Sequence, residues 1–245
     1  MENAQLISLS RQIALQHQMD VVANNLANVT TSGFKASDLM FEDYLMPVAR
    51  DNDFAGFDRT LHYTQDWSTV HDMANGAIEQ TGNPLDVALM GEGFLEVETA
   101  DGPRYTRNGA LQIDATGTLV DLNGNPVLSD AGPVKFSDAD IDITISPDGT
   151  ISTNNGDKGR LRVIEFADAQ ALAREGDNYF SGPAGVAAVN TRVMQGSIER
   201  SNVSGVTEIT TMIRVQRAYQ SLASMMQRQD ELRSTAIQRL GEVRA

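Results

Sequence analysis

From the N-terminus, Leu6, Leu9 and Ile13 fall at helical spacing, and Leu15, Met19, Val22, Leu26 and Val29 continue by steps of three and four. The stripe shifts phase near residue 14. At the other end, the same stepping from Met212 reaches Val215, Tyr219, Leu222, Met226, Gln229, Arg233, Ala236, Leu240 and Val243, and eight of these ten positions are apolar. A seven-residue repeat held this long predicts a left-handed supercoil with partner helices. Residues 1–32 and 206–240 contain neither glycine nor proline, so nothing interrupts either helix. At 1.5 Å per residue the C-terminal helix would be ~60 Å long and the N-terminal one ~40 Å, so pairing them leaves apolar surface uncovered. Two arrangements remain open on periodicity alone: a helical hairpin packed on the chain's own sheet, or bundling between molecules.

Between the ends the period changes. Short β-prone runs recur at Leu85–Leu89, Phe94–Glu98, Arg104–Arg107, Leu111–Ile113, Leu119–Val120, Ile141–Ile145 and Leu161–Phe166, separated by turn dipeptides such as Asn83-Pro84, Asp101-Gly102, Asn123-Gly124 and Asp148-Gly149. The spacing predicts antiparallel hairpins. Asp138, Asp140 and Asp142 alternate with Ala139, Ile141 and Ile143, as on a strand with one solvated face. Asn154 to Gly159 reads as a turn, and Arg50 to Asp66 as an extended linker. The expected fold class is therefore α+β. A helix within 1–35 and another within 200–245 form a coiled-coil-like region, disordered in the free monomer. They flank an extended segment, 36–80, and a central, mainly antiparallel β domain, 81–199.

Charge follows the same division. The 245 residues hold 19 Lys plus Arg against 33 Asp plus Glu, a net charge of −14. Residues 1–35 are balanced and residues 200–245 carry +3, so the middle carries −17. A chain this acidic repels phosphate, which argues against nucleic-acid partners and anionic membrane surfaces. No apolar run approaches the ~18 residues of a membrane span, so stable membrane insertion is not expected. Glu2 stands where a secretory signal needs positive charge, so any export would not use a cleaved signal peptide. The chain has no cysteine, which removes disulfides, thiolate metal sites and Cys nucleophiles.

The familiar chemical constellations fail one by one. Asp121-Leu122-Asn123-Gly124-Asn125 opens like a calcium loop, but Pro126 takes the place of the glycine and Gly132 that of the closing glutamate. Gly91-Glu92-Gly93 is followed by Glu96 where a dinucleotide fingerprint needs a third glycine. His17, His62 and His71 have no ligand partners at zinc spacing, and no glycine-rich loop precedes Lys35, Lys135 or Lys158. Asn28-Val29-Thr30 and Asn202-Val203-Ser204 match short glycosylation sequons beside the helices, as chance allows. No metal, cofactor or catalytic residue is expected, and the chain does not read as an enzyme.

The exceptional stretch is Ala23-Asn24-Asn25-Leu26-Ala27-Asn28-Val29-Thr30-Thr31-Ser32-Gly33-Phe34-Lys35. Asparagines are poor helix formers, so Asn24, Asn25 and Asn28 on an apolar segment imply specific hydrogen bonds, end-capping or a fixed register. Gly33 is expected to end the helix, with Phe34 as an anchor beyond it.

These residues carry a resemblance. Ala23 to Lys35 resembles the N-terminal signature of the bacterial flagellar axial proteins, the rod and hook family. Gly196-Ser197-Ile198-Glu199-Arg200-Ser201-Asn202-Val203, followed by Ile213 and Gln216-Arg217-Ala218-Tyr219, resembles the matching C-terminal signature. Thr81 to Ala88, Gly91-Glu92-Gly93-Phe94 and Tyr105-Thr106-Arg107 resemble the segment shared by hook and rod members. Leu9-Ser10-Arg11-Gln12, Asp20-Val21-Val22 and the lack of a large insertion are more similar to a proximal rod protein than to the longer hook protein, with the distal rod protein as the near alternative.

The resemblance implies a structural subunit of the periplasmic rod in the flagellar basal body. It would be passed unfolded through the flagellar type III export apparatus without cleavage, and would assemble with other rod proteins and copies of itself. The expected assembly residues are Leu6, Leu9, Ile13, Asn24, Asn25, Leu26, Asn28, Gly33 and Phe34 at one end. At the other they are Met212, Val215, Tyr219, Leu222, Met226 and Leu240. The competing class is a secreted acidic binding module that its helices merely dimerise.

Overall fold

A computed structural model describes residues 2–47 and 60–242, with side chains from 7 to 40 and from 68 to 239. The architecture is α+β: two helices, α1 (Glu2–Ala27) and α2 (Gly205–Glu242), stand at the ends of a series of antiparallel strand pairings. The chain divides into two compact units. One holds Met1–Leu26, Ser37–Val70 and Ser204–Ala245; the other holds Ala27–Ala36 and His71–Val203.

In the helical unit, β1 (Ser37–Pro47) and β2 (Thr60–His71) pair as a two-stranded sheet. Part of the stretch expected as linker is thus long strand, and residues 48–59 lie outside those described. Two side-chain ties orient the helices. Gln12 Nε2 donates to Tyr219 Oη at 2.8 Å, and Asn25 bonds Glu208. Residue numbers rise along one helix as they fall along the other, so α1 and α2 run antiparallel.

The central unit is built on a six-stranded sheet in the order 173–175, 179–181, β6 (Gly102–Thr106), β5 (Phe94–Thr99), 163–165 and 186–187. β5 shows how the period-2 pattern is used. Leu95 and Val97 enter a cluster with Val87, Leu119, Val127, Ile151 and Leu161, whereas Phe94 enters a second with Tyr105, Ile164, Leu172 and Phe180. β3 (Ile78–Gln80) pairs with Ser197–Glu199, and β4 (Val87–Met90) with Arg192–Gln195. Each of the seven runs singled out by periodicity contains a strand, whereas the strands after residue 170 carry little alternation in sequence.

Three local expectations are corrected and one boundary is narrowed. α1 stops at Ala27 and not at Gly33, because residues 28–36 leave the helix to enter the central unit. Within the expected stretch 200–245, α2 begins at Gly205, since Arg200 N and Asn202 N donate to Ala77 O and Phe34 O instead. The alternating Asp138 to Ile143 is not a strand: Asp142 takes a left-handed backbone, φ 55°, and the strand is Thr144–Ile145 alone. Asp140 turns inward instead and accepts from Lys158, Ser137 N and Asn155, which holds its carboxyl well below the ordinary range. Of the Asn154–Gly159 turn, Gly156 onward is strand. No helix among the described residues is long and apolar enough to cross a membrane.

Candidate functional site

The two signature motifs meet in the central unit. Residues 27–36 lie against 196–203, with 71–80 and 105–108 completing the cluster. Gly33 N donates to Glu199 O at 2.7 Å, Asn202 N to Phe34 O at 3.3 Å, and Ala36 N to Asn202 Oδ1 at 2.7 Å. Asp72 N donates to Ala36 O at 2.8 Å, and Asn202 Nδ2 returns to Asp72 O at 2.8 Å. Asn202 therefore replaces a regular ladder with side-chain bonds to two other segments, which is why it cannot serve inside α2.

Three charges sit at the centre of this knot. Lys35, Arg107 and Glu199 are 0%, 2% and 2% exposed. Glu199 Oε1 accepts from Lys35 Nζ at 2.7 Å and from Gly76 N at 2.8 Å, while Oε2 faces Arg107 Nη1 at 3.4 Å. Lys35 Nζ also donates to Ala74 O at 2.8 Å, and Arg107 Nη2 to Gly91 O at 2.6 Å. Among the described residues Arg107 Nε has no hydrogen-bond partner. Burial pushes the Lys35 ammonium below its usual range, against the pull of Glu199, with Arg107 adding to the fall. Such a cluster is poor evidence for raw stability, but losing one member strands the others at roughly 3–5 kcal/mol.

Two features seat the N-terminal segment. Phe34, 3% exposed, lies under the Arg174 guanidinium at 3.9 Å from the ring centroid, and Arg174 Nη1 donates to Lys35 O at 3.0 Å. Gly33 has φ +67°, and a Cβ on it would stand 2.4 Å from Arg107 C and 2.5 Å from Asn108 N. Its role is close approach in a left-handed turn, not helix capping. Close by, His71 packs edge-on against Phe180 at 5.8 Å, and burial, with the Arg174 charge adding to it, lowers its pKa.

The expected assembly residues divide between units. Gly33 and Phe34 belong to the knot. Asn28, half-buried in the same segment, accepts from Thr31 Oγ1 at 3.1 Å. In the helical unit Asn25 is buried; its Nδ2 donates to Ser37 O at 2.9 Å and its Oδ1 accepts from Ser37 N at 3.0 Å, tying α1 to the start of β1. Asn24 is exposed and Leu26 half-buried. On α2, Val215 is buried and Met212, Tyr219, Leu222 and Met226 are half-buried, so the seven-residue stripe is the less exposed face. Leu9 and Ile13 are exposed while Ala14 and Val22 are buried, matching the phase shift. The side chains of Leu6 and Leu240 lie outside those described, as does all of Val243.

Carboxylates that an enzyme reading would enlist are already occupied. Asp86 accepts from Thr81 Oγ1 at 2.6 Å and Asn83 Nδ2 at 2.9 Å. Asp121 Oδ1 accepts from Asn123 N and Asn125 N, each at 2.9 Å, and Oδ2 accepts from the Tyr179 hydroxyl. Among the described residues no group of His, Asp and Glu has the geometry to hold a metal ion. Sequence reasoning missed Lys35, Arg107 and Glu199 as a unit because charged residues are ordinarily solvated. The available signal was their position within or beside the three motifs.

Comparison with known proteins follows the same three segments. Residues 6–35 match the flagella basal body rod protein family, residues 88–153 the flagellar hook protein FlgE/F/G D1 domain, and residues 194–239 the flagellar basal body rod FlgEFG protein C-terminal family. The chain is 35% identical to the flagellar basal-body rod protein FlgF of Caulobacter vibrioides, over 99% of this chain and 100% of that one. It is 36% identical to FlgF of Escherichia coli K12, over 83% and 84%. It is 32% identical to the flagellar basal-body rod protein FlgG of Bacillus subtilis 168, over 89% and 91%. With both end motifs knotted together and the intervening domain matched, the chain belongs to the flagellar basal-body rod proteins and is FlgF-like.

Proposed function

We propose that this chain is a structural subunit of the proximal flagellar rod, joined to copies of itself and to other rod proteins through α1 and α2, with no enzymatic role. The observation that carries this is the mismatch within the helical unit. The ties at Gln12–Tyr219 and Asn25–Glu208 set a register in which Glu2, where α1 begins, lies opposite α2 near residue 230. Beyond that point α2 continues past α1 for ~18 Å of helix. Leu232 and Ile237 on that overhang are 72% and 66% exposed, and Val206, Ile209 and Ile213 are also exposed nearer its start. When an identical neighbour completes such a seam head to tail, and the rotation between copies does not close a ring, repetition builds a helix. The likeness to basal-body rod proteins supports a place in the periplasmic rod, reached through the flagellar type III apparatus.

The test is assembly in cells lacking their own copy. A chain carrying Ile213→Asp and Leu232→Asp should keep wild-type dichroism as a monomer yet yield basal bodies without a complete rod by electron microscopy. Normal rods from that chain would refute the reading.

A further inference from the structure

We propose that Glu199 makes the docking of residues 27–36 in the central unit conditional on residues 196–203 being in place. Its use in ordered assembly rests on the rod-subunit reading. The coupling itself rests on the central unit alone.

The argument is one of charge balance in a dry place. Lys35 comes from the first segment, Glu199 from the second, and Arg107 from the sheet, and all three are at most 2% exposed. One carboxylate thus serves two cations. Were 196–203 to leave, the hydrogen bonds left among the described residues would be Ala74 O for Lys35 and the carbonyls of Leu89 and Gly91 for Arg107, with Asp72 and Glu92 the remaining acids acting on them. Neither cation would then hold a carboxylate in contact, and Lys35 is the one on a segment free to go. Were 27–36 to leave, Glu199 O, Asn202 N and Asn202 Oδ1 would lose Gly33, Phe34 and Ala36 together. Residues 196–203 also hold the β3 ladder and the bonds of Gly196 with Thr81 and Asp86, whereas residues 27–36 lean on Glu199 and Asn202. The first segment can therefore open as one cooperative piece while the sheet stays closed.

Three of the four points where the chain passes between units, at residues 36, 71 and 203, lie beside this knot. A chain threaded from its N-terminus would hold the first segment undocked until Glu199 arrived. The docked state then reports that nearly the whole chain has been delivered.

Native-state hydrogen exchange on the full chain tests the coupling. In the wild-type protein the amides of Gly33, Ala36 and Asn202 should share one opening, with one denaturant dependence, below that of Glu96. Glu199→Gln should speed exchange at residues 33–36 by about tenfold or more while β5 keeps its protection. Adding Lys35→Met should restore protection at those residues, because only Arg107 then needs balancing. Independent openings of Gly33 and Asn202, unchanged exchange in Glu199→Gln, or no recovery in the double variant would each overturn the proposal. Should Glu199→Gln fail to fold, the wild-type comparison decides. Coupled opening in a chain that builds no rod would refute the rod reading and leave the coupling standing.

Discussion

Replacing Gly33 with alanine perturbs the knot at its tightest backbone approach. Gly33 sits at φ +67°, where an L-side chain costs roughly 1–2 kcal/mol. The new methyl would also stand 2.4 Å from Arg107 C and 2.5 Å from both Arg107 O and Asn108 N, all backbone atoms fixed by the sheet. Ordinary contact lies near 3.5 Å, so the segment must retreat by about 1 Å. That takes the 2.7 Å bond from Gly33 N to Glu199 O beyond hydrogen-bonding range, at a further cost of about 1 kcal/mol. The expected loss is about 3 kcal/mol.

Gly124→Ala is the matched control. Its φ is +85°, but nothing lies within 4 Å of the added carbon, so it pays the conformational part alone. Urea unfolding, followed through the near-ultraviolet dichroism of the buried Tyr105 and Tyr179, would measure both. If Gly33→Ala fell within about 0.5 kcal/mol of Gly124→Ala, the close-approach argument would be wrong.

On α2 the two stripes should separate in experiment. Val215→Ala removes buried methyl groups and should lower the stability of the helical unit by about 1.5–2 kcal/mol in a thermal melt, whereas Ile213→Ala, 45% exposed, should leave the melt nearly unchanged. Equal effects would place the wrong face inward. In the central unit, burial and the bond to Asp121 push the Tyr179 hydroxyl up to about 12. Because the folded pKa exceeds the unfolded one, the folded state keeps a proton that the unfolded state loses. Stability should therefore fall as pH rises from about 10 to about 12. Spectrophotometric titration should show one of the five tyrosines ionising last, and Tyr179→Phe should abolish that late step. A wild-type titration without it would contradict the buried Tyr179–Asp121 pair.

The sequence alone determined whatever depends on local period and on turn chemistry. The α2 stripe from Met212 through Met226 is the less exposed face, and the phase shift near residue 14 separates exposed Leu9 and Ile13 from buried Val22. The early strands were legible because β5 alternates between two apolar clusters, which writes a period of two into the chain. Family membership was legible for a different reason: the motifs carry recognisable residues whatever their packing. Tertiary structure alone decided what those motifs do. Nothing in the spacing brings Lys35, Arg107 and Glu199 together, since a buried charge is stable only through partners distant in sequence. Helix ends likewise followed from competition, with Gly33, Ala36, Arg200 and Asn202 making bonds to distant segments in place of helical ones. The alternation at Asp138–Ile143 gave way to Asp140 turning inward to Lys158 for the same reason. Periodicity records which face a segment buries, while the partner that covers it exists only once the chain has closed.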